Sequence, residues 1–212
     1  MVEMEQGSAE WLAIRCGKVT ASRVADVVAK TKTGYGASRA NYMADLIAER
    51  LTGAPADRFT NAAMAHGTAT EPEAREFYEF MAGVEVKQVA FVPHPTIAMS
   101  GASPDGLVGD DGLVEIKCPN TATHIDTLLG ITGPSRYMAQ MQWQMACTGR
   151  AWCDFVSYDP RLPESMRLFF SRIIRDDPMI AVLTDEVIKF LAELDAKVEA
   201  LRALYEPAAE AA

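Results

Sequence analysis

Near residue 84 the chain changes its period, and that change limits the folds open to it. Before it, apolar residues recur at helical spacing. After it come four short β-rich segments: VEVKQVAFV (84–92), IAMS (97–100), DGLVG (105–109) and LVEIKC (113–118). Asp111-Gly112 is placed to turn the chain between the last two. Helical patterns return after Pro119, around 121–130 and from Tyr137 to Cys147. Strands near 151–158 and 167–174 follow, and an acidic amphipathic helix over about 178–205 closes the chain. Strands set between helical stretches bury their faces under helices, so the expected fold class is α/β, a central mixed β-sheet flanked by helices. With no repeat, no low-complexity block and no clear domain boundary, the 212 residues read as one domain, its core over about 8–175.

The N-terminal part is helical in pattern. Ser8 can cap a short helix carrying Trp11, Leu12 and Ile14. Thr20 is placed to cap a second, with Val24, Val27 and Val28 on one face. Gly34 and Gly36 flank Tyr35 in an expected loop, and the helix over 39–51 stops at Gly53. A long helix runs from about Asn61 to Met81 and ends at Gly83. Pro72 inside it implies either a kink or a fresh start capped by Thr70, with Glu73 three residues on.

The net charge of −9 at first argues against a polyanionic partner, but the charge is unevenly spread. Residues 14–40 hold Arg15, Lys18, Arg23, Lys30, Lys32 and Arg39 against one acid, Asp26, whereas residues 176–212 hold nine acids against three cations. The basic stretch is either a solvated helix face or a phosphate-binding patch with an acidic far side. Cys16, Cys118, Cys147 and Cys153 show neither a CxxC pair nor metal-finger spacing, and read as reduced thiols of a cytoplasmic protein. No apolar run approaches the ~18 residues a membrane helix needs. The acidic start MVEMEQGSAEW does not read as a signal peptide.

The chemistry concentrates in SPDGLVGDDGLVEIKC, residues 103–118. Residues two apart in a strand share a face, so Glu115 and Lys117 point one way while Val114 and Ile116 pack the other. Across the turn, Asp105 can reach the face of Glu115. Carboxylates converging beside a buried sheet repel each other unless neutralised. A hard cation such as Mg²⁺ does this with one or two carboxylates, waters and phosphate oxygens. An ammonium beside a metal-bound water can hold the nucleophile or steady a phosphorane. A lone ExK in a strand is most often a surface ion pair; Pro104-Asp105-Gly106 one strand upstream is what weakens that reading here.

SPDG…VEIKCP resembles the PD-(D/E)xK nuclease signature. With WLAIRCGKVTAS (11–22), HGTATEPEA (66–74), YMAQMQWQM (137–145) and YDPR (158–161), the chain resembles the lambda exonuclease family, the YqaJ-like viral recombinases, over roughly residues 8–160. The resemblance implies a restriction-endonuclease-like domain that resects double-stranded DNA from a 5′-phosphorylated end, releasing mononucleotides and leaving 3′ overhangs for recombination. It implies Asp105, Glu115 and Lys117 as catalytic, and Glu71, Asp105, Glu115 and the Ile116 carbonyl as ligands for two Mg²⁺, with Mn²⁺ able to substitute. It places Arg15, Ser22, Ser103 and Gln140 around the terminal 5′-phosphate. Met64 falls where the family has a strand-parting wedge, and Lys32 where a basic side chain enters the duplex groove from a loop, about 30–38, that is mobile until DNA arrives. Tyr137, Gln140 and Gln144 share one helical face.

The same resemblance implies a homotrimeric ring with outward-facing acidic helices, a single-strand annealing protein as partner, and a phage or prophage origin in a bacterial cytoplasm. An iron–sulfur cluster, present in some related nucleases, is not expected with these four cysteines. Two further readings stay open: a restriction-like or structure-specific endonuclease on the same core, and a catalytically idle DNA-binding scaffold.

Overall fold

The structure, a computed structural model, describes residues 5–56 and 62–205, with side chains from residue 65 onward in the second segment. Helix α1 (Ala9–Arg15) begins where expected, the Ser8 hydroxyl accepting from the Trp11 N–H. Thr20, however, caps nothing. It lies with Val19 in strand β1 (Val19–Thr20), opposite Gly101, and donates its N–H to the Tyr42 hydroxyl. A 3₁₀ turn at 21–23 then leads into the short helix α2 (Val24–Val28).

The expected loop around Tyr35 is instead a hairpin of β2 (Lys30–Thr31) and β3 (Gly34–Tyr35). Helix α3 (Ala37–Thr52) ends at Gly53, whose φ of +69° is the left-handed cap that a side chain disfavours. Helix α4 (Ala62–Ala82) runs unbroken through Pro72. No new helix starts there, since the Thr70 hydroxyl is paired with His66 Nδ1, one turn back.

Strands β4 (Val86–Lys87), β5 (Val92–Pro93), β6 (Ser100–Ala102), β7 (Gly106–Val108) and β8 (Gly112–Lys117) follow. Next come α5 (Thr121–Leu128), α6 (Met138–Thr148), β9 (Trp152–Tyr158), β10 (Leu168–Ile174) and α7 (Asp177–Tyr205). A five-stranded mixed sheet has the order β10-β9-β8-β7-β4, with β8 and β9 parallel; a three-stranded one has the order β1-β6-β5. The run 84–92, read as one strand, therefore divides. Val86 and Lys87 pair with β7, whereas Val92 and Pro93 pair with β6 in the other sheet. Proline has no N–H to extend a ladder and suits the edge position β5 occupies.

The larger sheet is packed on both faces. Val114, Ile116, Val156 and Tyr158 meet Ala74 and Tyr78 of α4, and Leu113, Cys153 and Phe155 meet Met141 and Met145 of α6. A third cluster joins α2, α3 and α7, with Tyr42 stacked on Phe190 at 5.7 Å. Each large apolar side chain so buried contributes about 1.5–3 kcal/mol before entropy is counted.

The acids of α7 do not simply face outward. Glu186 accepts from Tyr35 Oη at 2.6 Å and pairs with Lys30 at 3.3 Å, Glu193 takes both ends of the buried Arg39 fork at 2.8 and 2.9 Å, and Asp195 pairs with Arg50. Two cations of the N-terminal basic stretch, Lys30 and Arg39, are thus partners of the acidic helix, and the hairpin carrying Lys32 is tied to α7 at its base. All four cysteines are free, and among the described residues no helix is long and apolar enough to cross a membrane.

Candidate active site

Strand β7 is short, and that shortness makes the site. Its pairing with β8 ends at Gly106 opposite Val114. Beyond that pair the Ile116 N–H has no strand partner on this side, and it donates to Asp105 Oδ2 at 2.6 Å. Asp105 thus replaces a ladder bond with a carboxylate. Gly106 follows by necessity: a Cβ there would stand 2.0 Å from Val86 Cγ1.

The alternation in β8 falls as the spacing predicts. Val114 and Ile116 pack toward α4, while Glu115, 1% exposed, turns toward α6. A carboxylate so buried needs donors, and three converge on it. Gln140 Nε2 donates to Oε1 at 2.5 Å, Gln144 Nε2 to Oε2 at 2.6 Å, and Lys117 Nζ forms an ion pair with Oε1. The Lys117 ammonium also lies 5.0 Å from the centre of the Tyr137 ring, which stacks on Phe155. Burial alone would lower the Lys117 pKa, but Glu115 and then Asp105 outweigh it and raise it, so Lys117 is held as a cation.

Burial pushes the Asp105 carboxyl well above the usual carboxylate range, and Glu115 and Glu71 push it further. Glu71, on α4, is raised by burial, with Arg75 pulling the other way and Glu115 adding to the rise. Its Oε1 accepts from Arg75 Nη2 at 2.6 Å. Cys118, beside Lys117, is pushed up to about 12 by burial and by Glu71 and Asp105, so it stays a protonated thiol.

Asp105, Glu115, Glu71 and the end of β8 therefore offer hard oxygen donors whose mutual repulsion a divalent cation would relieve. Among the described residues no three acidic, histidine or cysteine side chains form a ready-made cage. Mg²⁺ does not require one, since it commonly takes one or two carboxylates and completes its shell with water and phosphate oxygens. The donor set fits that ion.

The residues expected around a terminal phosphate divide. Arg15, 7% exposed, donates from Nη1 to Ser103 Oγ at 2.8 Å, and its guanidinium lies 4.0 Å from the centre of the Trp11 ring. Trp11 Nε1 donates to the same hydroxyl at 3.0 Å. With two donors on its oxygen, Ser103 must turn its own proton elsewhere. Ser22 is exposed on the turn at 21–23, which packs against α6 and β6, with its hydroxyl 3.4 Å from Thr20 Oγ1. Gln140 is bound to Glu115, which brings it into the carboxylate cluster. Lys32 is exposed at the hairpin turn, and Met64 lies in α4 with its side chain outside the described residues.

Four contributors were not among the expected site residues: Gln144, Tyr137, Arg75 and Trp11. The shared face of 137, 140 and 144 was the signal available for two of them. The role of Arg75 was readable only as an i, i+4 pair with Glu71.

Comparison with known proteins places this geometry. The family described as the YqaJ-like viral recombinase domain matches residues 10–151. The alkaline exonuclease LHK-Exo of Laribacter hongkongensis is 58% identical, with a TM-score of 0.86 over 92% of this chain and 97% of that one. LHK-Exo in complex with dAMP matches at 57% identity and a TM-score of 0.87, with the same coverage. A phage-related exonuclease of Haemophilus somnus 129PT shares the fold, with a TM-score of 0.71 at 15% identity over 87% of this chain and 96% of that one. No curated protein matches the chain.

Proposed function

The chain belongs to the YqaJ-like viral recombinase domain family, and on that premise we propose that it is a Mg²⁺-dependent 5′→3′ exonuclease on double-stranded DNA ends. It prefers a 5′-phosphate, releases mononucleotides and leaves a 3′ strand for annealing. The observation that carries this reading is the convergence of Asp105, Glu115 and Lys117 where β7 stops and β8 runs on. That a relative of 57% identity is described with dAMP, a mononucleotide, supports the product.

A divalent cation bound among the carboxylates would supply a water nucleophile at neutral pH and charge neutralisation at the scissile phosphate. Asp105, held by the Ile116 N–H, and Glu115, held by two amides and an ammonium, would be its ligands, with Glu71 and the Ile116 carbonyl completing a second position. Lys117, kept cationic by Glu115 and Asp105, is placed to donate a hydrogen bond to a phosphate oxygen or to the attacking water. Arg15 and Ser103 form a joined guanidinium–hydroxyl pair suited to a phosphate monoester, with Ser22 and Gln140 as further donors. Lys32 at the hairpin turn would meet the duplex backbone, and Met64 would part the strands. A homotrimeric ring, an annealing-protein partner and a phage or prophage role in the bacterial cytoplasm complete the proposal, and these rest on kinship.

The deciding experiment uses end-labelled linear duplex with Mg²⁺, with and without a 5′-phosphate, beside a closed circle. Faster mononucleotide release from the phosphorylated end is expected. Nicking of the circle would replace the reading with an endonuclease, and DNA binding without metal-dependent cleavage would replace it with a scaffold.

A further inference from the structure

Helix α6 carries two wholly buried glutamines, Gln142 and Gln144, and they behave differently. Gln142 satisfies both ends of its amide: Nε2 donates to the Ile174 carbonyl at 2.8 Å, and Oε1 accepts from the Asp176 N–H at 2.8 Å. It ties α6 to the β10–α7 junction, as a structural glutamine should. Gln144 donates from Nε2 to Glu115 Oε2 at 2.6 Å, yet its own Oε1 is buried without a hydrogen-bond partner among the described residues.

The two ends of an amide are rigidly joined, so aiming the NH₂ at Glu115 strands the carbonyl oxygen. An unsatisfied buried acceptor costs about as much as a hydrogen bond to a charged group returns. Stability gains little from this exchange, so a residue kept only for packing has no reason to make it. Gln140 holds the other oxygen of Glu115 from a partly exposed position one turn earlier, within reach of an incoming substrate. Gln144 is beyond such reach.

We propose that Gln144 is a positioning residue, whose buried amide fixes the plane of the Glu115 carboxylate so that Lys117 and an incoming divalent cation meet it in one orientation. This rests on the nuclease reading above. Gln140 exchanges partners as substrate arrives, and Gln144 keeps the carboxylate in place throughout. Amides and carboxylates that orient a metal ligand from behind typically control affinity or activity by about 10–100-fold.

The test compares Gln144→Met with Gln142→Met in the full chain. Methionine is close in length to glutamine but cannot donate. Four quantities are read: Mn²⁺ binding to the DNA-free protein by calorimetry, kcat with Mg²⁺, KM for duplex ends, and melting temperature. For Gln144→Met, Mn²⁺ binding and kcat are expected to fall about 10–100-fold, with KM within about twofold and the melting temperature roughly kept, because the stranded carbonyl is lost together with the bond to Glu115. Gln142→Met is expected to do the reverse, lowering the melting temperature while its folded fraction binds Mn²⁺ as the parent does. Unchanged Mn²⁺ binding and kcat in Gln144→Met, or its failure to fold, would overturn the proposal and assign Gln144 to the core. A parent protein that neither binds Mn²⁺ nor degrades DNA would overturn the nuclease reading itself, and this one with it.

Discussion

Lys117 has one acid on its own strand face and another across the hairpin, and no other cation lies on that face of β8. Lys117→Ala should lower cleavage by at least about 100-fold, the scale of losing one charged donor to a developing oxyanion. Filter binding should find duplex affinity little changed; cleavage near the parent rate would remove Lys117 from the chemistry. Asp105 makes a different prediction, because its folded pKa is raised. A carboxyl favoured in its neutral form by folding loses stability as pH rises and it ionises, so its charge costs the fold. Asp105→Asn keeps an oxygen for the Ile116 N–H and removes the charge. Its melting temperature at pH 7 should exceed the parent's, by about 2–4 °C for each kcal/mol relieved, while cleavage is lost. Scanning calorimetry decides it, and Mg²⁺ should stabilise the parent but not the variant.

This part of the site was legible because a strand alternates strictly; the turn was not, since Gly112, expected in it with Asp111, instead opens β8 opposite Val108, and residues 109–111 make the connection. Gln144 was visible only as a member of a helical face. Whether a buried amide ends on a carboxylate or on a main-chain carbonyl depends on the partner element, and Gln142 and Gln144 differ in nothing a sequence displays.

The elements follow the same division. The long helices and the strands of six or seven residues carry enough periods to be read, and α3, α7, β8, β9 and β10 lie close to where the pattern puts them. Strands of two residues carry no period, so β1, the β2–β3 hairpin and the division of 84–92 between two sheets could not be seen. They exist because a partner strand is present. The element that bears most on function is the β7 terminus. Gly106→Ala would force a methyl into Val86 at 2.0 Å and Val114 at 3.3 Å. Overpacking of this kind costs about 1–3 kcal/mol. Denaturant unfolding should show that loss, with cleavage reduced further as Asp105 shifts; wild-type stability would mean that β4 yields freely.

At the scale of the whole molecule, acid sensitivity comes from Glu186 and Glu193 of α7, whose pKa values their bonds to Tyr35 and Arg39 hold down, and from Asp159 beside the strands' C-terminal ends. Asp159 is fully buried; burial would raise it, but bonds from Arg161 and Thr121 outweigh that and bring it down to about 2. A depressed carboxylate contributes stability above its ordinary 3.8, and that contribution disappears as pH falls through about 2. Asp159→Asn should therefore have a lower melting temperature at neutral pH and a shallower decline below about pH 4. Parallel melting curves for parent and variant across that range would refute the assignment.

The pairing of α7 with the N-terminal cations has a further consequence for how the protein would meet DNA. Arg23, Lys30 and Arg39 already hold carboxylates, Lys30 and Arg39 those of α7. That helix acts as an internal decoy for Lys30 and Arg39, giving them an anion before any nucleic acid arrives. Where those ion pairs stay closed, a duplex binding there releases fewer condensed counterions than six basic residues would imply. At about 0.9 per phosphate, the slope of log affinity against log salt should be shallower than the roughly −5 that six open cations would give, and a slope near −5 would show that DNA displaces the decoy.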